Sequence, residues 1–152
     1  MRVTIVAVGH PRSAPFAAAA ADYEARAARY WPLHVVEVRE AKLASPSLTA
    51  EREGERILAA VPRGAHLVAC DERGRGMKST DFAKWLQRHR ERAQDICIVL
   101  GGANGLSPAV LSQARESLSL APWTLPHELA RVVLAEQLYR AGTIQRGEPY
   151  HK

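Results

Sequence analysis

Four short runs, VTIVAVG (3–9), HVVEV (34–38), HLVAC (66–70) and ICIVLGG (96–102), are largely apolar from end to end, and helix-forming segments lie between them. A strand with one face in water alternates apolar and polar residues, whereas one that is apolar throughout is covered on both faces, as in a parallel sheet. The intervening segments are APFAAAAADYEARAARY (14–30), SLTAEREGERILAAV (47–61) and STDFAKWLQRHRER (79–92), the last opening with Ser79 as an N-cap. This β-α-β-α-β-α-β order predicts an α/β fold, a mostly parallel sheet flanked by helices. No repeat or linker interrupts it. The 152 residues, 47% of them hydrophobic, suit a single domain over 1–152 with its own core.

The last third departs from this alternation. A short helix near 107–116 precedes SLSLAPWTL (117–125), which reads as a final strand entering a tight loop, and Pro126 suits the first position of a last helix. In that helix Leu129, Ala130, Val132, Val133, Leu134, Ala135 and Leu138 cover more than one stripe. A helix apolar over most of its girth is buried on more than one side. One side is the chain's own sheet and the other a second subunit, so a homodimer is expected.

Composition narrows the functional classes. Lys and Arg outnumber Asp and Glu by 21 to 16, for a formal charge of +5, which favours a polyanion as partner. Cys70 and Cys97 each sit at or within an apolar run, without the spacing of a zinc site or a CxxC motif, and read as buried reduced thiols. The six histidines are scattered, so no metal is expected. There is no cleavage-site pattern at the amino terminus and no window near the roughly 18 apolar residues of a membrane span. A soluble cytoplasmic protein with no membrane partner is expected.

In open α/β sheets ligands sit beyond the carboxyl ends of the strands. CDERGRGMKS, GGANG and LAPWTLPH would meet there, and Gly101, Gly102 and Gly105 would let the backbone come close to a flat ring or a ribose. No GxxxxGK[ST] occurs, and the first strand ends in VGHPRSAP without a GxGxxG, so neither a P-loop nor a dinucleotide fingerprint is present.

GGANGLS, then SLSLAPWTLPHELARVVLAEQLYRA and the terminal PYHK resemble the C-terminal signature of the ribosomal large subunit methyltransferase H family. VAVG, EGERIL and DERGRGMKSTDFAKWL extend the resemblance over the whole chain. It implies a SPOUT-class enzyme with a C-terminal trefoil knot, an outcome that general topology rules would not have favoured. It also implies S-adenosyl-L-methionine as cofactor, methylation of N3 of a pseudouridine in 23S rRNA of the assembled ribosome, and an active site completed across the homodimer. On this resemblance the cofactor residues are Cys70, Gly101, Gly102, Gly105, Leu120, Ala121, Pro122, Trp123, Thr124 and Leu125.

Methylating a ring nitrogen requires a close approach to the methyl donor and loss of the N3 proton. His127, opening the last helix beside the cofactor loop, is the candidate base, against a structural role in the TLPH turn. Arg131 lies one turn further on the same face and is the second catalytic candidate, for a phosphate or an anionic pyrimidine, against an ordinary ion pair. Glu136 reads as the partner of Arg140 at i+4. For RNA, the candidates are Arg73, Arg75 and Lys78 in the glycine-rich loop, and Tyr150, His151 and Lys152 in the tail, where an aromatic stacks and cations meet phosphate. Lys84, Arg88, Arg90 and Arg92 form a weaker basic cluster. The rival readings are a SPOUT methyltransferase acting on tRNA and a ribosome-binding assembly factor without catalysis; a nicotinamide enzyme is a distant third.

Overall fold

In the computed structural model, which describes residues 1–152, the strands are β1 (Val3–Val8), β2 (Leu33–Val38), β3 (His66–Gly76), β4 (Ile96–Val99) and β5 (Glu116–Ser119). The helices are α1 (Ala14–Ala27), α2 (Pro46–Ala60), α3 (Ser79–Glu91), α4 (Pro108–Gln113) and α5 (His127–Gln145). All strand pairs are parallel and the sheet order is β2-β1-β4-β3-β5. The expected α/β class therefore holds.

Alternation along the buried strands feeds two cores. Val3, Ile5, Val68, Ile96 and Ile98 face one side, where Ala27, Trp31, Phe82, Leu86, Leu134 and Leu138 pack on them. Val6, Val8, Leu67, Ala69, Cys97 and Val99 face the other, covered by Ile57 and Val110. Thus α1, α3 and α5 cover one face and α2 and α4 the other. α5 lies between α1 and α3, and Trp31 ties it down by donating its indole N–H to the Leu138 carbonyl at 2.9 Å.

Several boundaries differ from the sequence reading. β3 runs six residues past Cys70, because Arg75 and Gly76 resume pairing with Leu118 and Ser119 after an irregularity. Nothing in the polar segment DERGRG signals a strand; the pairing of Arg75 and Gly76 with β5 holds its end. Ser79 is the first helical residue rather than the cap, and its hydroxyl donates to Gln137 Oε1 at 2.7 Å. α4 stops at Gln113, and Glu116 already opens β5. Pro126 is the N-cap of α5, not its first turn. No helix is long and apolar enough to cross a membrane.

Candidate active site

Because every strand is parallel, the segments after β3, β4 and β5 leave the same edge of the sheet. They enclose a cleft of about 800 Å³, the size of a small-molecule site. From the β3 extension come Cys70, Asp71, Glu72 and Arg73; from the loop after β4, Leu100 to Leu106; from β5 and the following loop, Leu118 to Ala121 and Trp123 to Leu125. Pro126, His127 and Ala130 close it from the start of α5.

Two glycines shape the middle loop. A Cβ on Gly101 would lie 2.6 Å from the Gly105 carbonyl carbon, and Gly105 itself has φ +74°. Only glycine permits that approach and that backbone without strain. Under the loop lies Glu53 of α2, 3% exposed. Its Oε2 accepts the Ala41 N–H at 3.1 Å, while Oε1 is buried without a partner and would sit 3.0 Å from a Cβ on Gly102. A buried carboxylate oxygen left unpaired is costly. Sequence reading missed Glu53; its one signal is an acidic residue on the buried face of an amphipathic helix.

The cleft floor is apolar, with Leu100, Leu106, Leu118 and Leu120, and its rim is polar. Asp71 accepts from Arg73 Nε and from the Arg73 backbone N–H, both at 2.9 Å. The guanidinium holds the Asp71 carboxyl below its usual range, burial opposing and the backbone bond helping. Glu72 accepts from the Thr124 hydroxyl at 2.9 Å, so the first and third loops are joined across the opening. Burial pushes the Cys70 thiol up to about 12, and Cys97 likewise, so both stay protonated as the sequence suggested. An apolar floor for a ring, carboxylates at the rim for a cation and a glycine cradle for close backbone contact fit a nucleoside joined to a charged amino acid.

The predicted site residues divide. Cys70, Gly101, Gly102, Gly105, Leu120, Ala121, Trp123, Thr124 and Leu125 all line the cleft, while Pro122 is exposed and does not. His127 lines the cleft and also a small neighbouring depression that contains Arg131. Arg131 differs from expectation: it is 6% exposed and does not line the cleft. Its guanidinium donates to Glu24 Oε1 at 2.7 Å and to Glu37 Oε1 at 2.8 Å. With its donors committed to two carboxylates, Arg131 anchors α5 to α1 and β2 and is not a free cation for substrate.

Of the RNA candidates, only Arg73 borders the cleft, and it is paired with Asp71. Arg75 contacts only the Met77 sulfur, at 3.7 Å, and Lys78 caps α3 without a side-chain bond. The tail folds back on α5. Tyr150 donates to Glu136 Oε1 at 3.0 Å, its ring lies 4.6 Å from that of Tyr139, and His151 Nδ1 is 3.2 Å from Arg140 Nη1. Lys152 is exposed. Glu136 pairs with Arg140 as expected, Nε to Oε1 at 3.0 Å. The tail thus sits away from the cleft of its own chain.

The parallel sheet, with three loops folded over a cleft at its carboxyl edge, is the architecture of an α/β methyltransferase, and residues 1–151 match the family model described as predicted SPOUT methyltransferase. The chain is also 57% identical over 154 residues to the ribosomal RNA large subunit methyltransferase H of Gemmatimonas aurantiaca, covering 100% of both. It is 47% identical over 153 residues to that of an Anaeromyxobacter species, again over 100% of both. It belongs to the ribosomal RNA large subunit methyltransferase H family of SPOUT methyltransferases. A crystal structure of TrmJ from Z. mobilis superposes with a TM-score of 0.55 at 18% identity, covering 100% of this chain and 73% of that one, a likeness of fold.

Proposed function

We propose that this chain is an S-adenosylmethionine-dependent methyltransferase that methylates N3 of a pseudouridine in 23S rRNA of the assembled ribosome, acting as a cytoplasmic homodimer with a knotted C-terminal half. The observation that carries the reading is the convergence of the segments after β3, β4 and β5 on one cleft of about 800 Å³. Leu100, Leu106 and Leu118 offer the surface for the adenine, the backbone around Gly101 and Leu120 to Leu125 its polar edges, and Glu72, bonded only to the Thr124 hydroxyl, the counter-charge for the cationic end. The bound cofactor supplies an electrophilic methyl group.

His127, half-buried at the mouth of the cleft, takes the N3 proton. Arg75 and Lys78, exposed or nearly so and free of carboxylate partners, meet phosphate. Tyr150, His151 and Lys152 serve the cleft of the opposite subunit, since within one chain they rest on α5. Leu129, Val132 and Val133 are only half-covered on the first turns of α5, and Trp123 beside them in sequence is 80% exposed. Such an apolar strip next to a site suits a subunit interface.

The test uses labelled S-adenosylmethionine with ribosomes that lack the mark, free 23S rRNA and tRNA as parallel substrates. Label entering large-subunit rRNA of assembled ribosomes supports the reading. Transfer to tRNA alone moves the substrate assignment, and cofactor-independent ribosome binding without transfer identifies an assembly factor. His127→Ala is expected to slow transfer by about a hundredfold or more while cofactor affinity stays within a few-fold. An unchanged rate removes the base assignment.

A further inference from the structure

At the opposite end of the sheet from the cleft, three side chains from three elements meet. His66 opens β3 and Glu116 opens β5. Glu116 pairs with Val68, so His66, two residues before Val68, points to the same face as Glu116. That face is covered by α3, whose last turn carries His89, one turn after Trp85. His66 Nε2 lies 2.7 Å from Glu116 Oε1, His89 Nε2 lies 3.9 Å from the same oxygen, and the two imidazoles are 4.7 Å apart. One ligand atom from each residue falls within 4.8 Å of the others. Ligand atoms around a tetrahedral zinc ion, with bonds of about 2.1 Å, are about 3.4 Å apart, so small side-chain rotations fit the triangle to an ion.

The surroundings favour a ligand. Trp85 Nε1 donates to both Glu116 oxygens, at 3.1 and 3.3 Å, and fixes the carboxylate plane. A proton shared between His66 and Glu116 satisfies those two groups and leaves His89 unexplained. The His89 Nε2 that faces the cluster stands 3.9 Å from Glu116, beyond hydrogen-bond reach, and is open to an ion, while its Nδ1 is buried on the other side of the ring without a partner.

We propose that His66, His89 and Glu116 form a binding site for a zinc-class divalent transition metal, separate from the methyltransferase cleft, which ties the edge strand β5 and the end of α3 to β3. Two imidazoles and one carboxylate favour zinc, cobalt or nickel over magnesium or calcium. His66 and Glu116 are partly exposed, which leaves a path for the ion and an open fourth position.

The test is titration of the metal-stripped full-length protein with Co²⁺ and then Zn²⁺, followed by visible absorption, equilibrium dialysis and thermal unfolding. The expected result is one equivalent per chain, a tetrahedral-type cobalt band displaced by zinc, and a melting temperature raised by about 5–10 °C at a hundredfold excess over Kd. His66→Gln and His89→Gln are each expected to abolish the equivalent, while His127→Gln keeps it. His66→Gln alone suffices where His89→Gln does not fold. Absence of a tight equivalent in the unmodified protein, or its retention in His66→Gln, overturns the proposal.

Discussion

At the residue scale, the middle loop of the cleft turns on glycine, with Gly105 at φ +74°. Gly101 and Gly105 were legible because glycine after an apolar run has few other uses, and the structure shows a Cβ on Gly101 meeting the Gly105 backbone at 2.6 Å. Gly101→Ala is therefore expected to push the loop open, lowering cofactor affinity at least about tenfold together with the melting temperature, measured by calorimetric titration and thermal unfolding. Arg131 was legible as a cation one turn from His127, yet its partners Glu24 and Glu37 lie about a hundred residues away in sequence and only the fold unites them. Arg131→Met leaves Glu24 and Glu37 without their shared guanidinium, with only the exposed His10 beside Glu37. It is expected to destabilise the protein by about 3 kcal/mol in denaturant unfolding. The same cluster gives a pH dependence. Burial raises the Glu37 carboxyl, but bonds from Arg131 and His10 outweigh it and hold the group below its ordinary value of 4.5. The unfolded chain therefore takes up this proton first as acid is added. The stability due to Glu37 is fully present above pH 4.5, and it is lost as pH falls from there through the lower native value. Unfolding curves between about pH 6 and pH 3 are expected to show this loss, and Arg131→Met to flatten it.

At the element scale, the apolar runs announced β1, β3 and β4 because those strands are covered on both faces. β2 lies at the sheet edge, and its exposed positions include Val36. The second half of β3 escaped notice because a strand made of DERGRG buries almost no apolar surface and is fixed by its ladder to β5. α5 was read correctly as buried on several sides, but much of that burial is internal, against α1, α3 and the sheet. The tail could not be placed from sequence, since its docking depends on Tyr139, Glu136 and Arg140 of α5. Removing residues 150–152 is expected to leave cofactor binding within a few-fold and to reduce methyl transfer to ribosomes by about tenfold or more. Equal losses in both would show that the tail supports the fold of its own cleft.

At the scale of the whole molecule, the dimer we propose would bring the tail of one chain to the cleft of the other. The single chain builds a cleft, yet leaves its tail on α5 and an apolar strip only half-covered at Leu129, Val132 and Val133. Light scattering on the eluting protein is expected to give twice the chain's 16.7 kDa, and Val133→Glu to return it to one chain with loss of methyl transfer. Sequence resemblance reached the reaction class and the three loops that line the cleft, because those loops are contiguous motifs. The placing of Glu53 beneath Gly102 and the His66, His89 and Glu116 cluster each bring together residues distant in sequence, and only the fold does so. The most direct measurement of the central claim is nucleoside mass spectrometry on large-subunit rRNA after incubating unmarked ribosomes with this protein and methyl-labelled S-adenosylmethionine. The label is expected in N3-methylpseudouridine at about one per ribosome. Label in any other nucleoside, or none from a protein that binds the cofactor, would contradict the account.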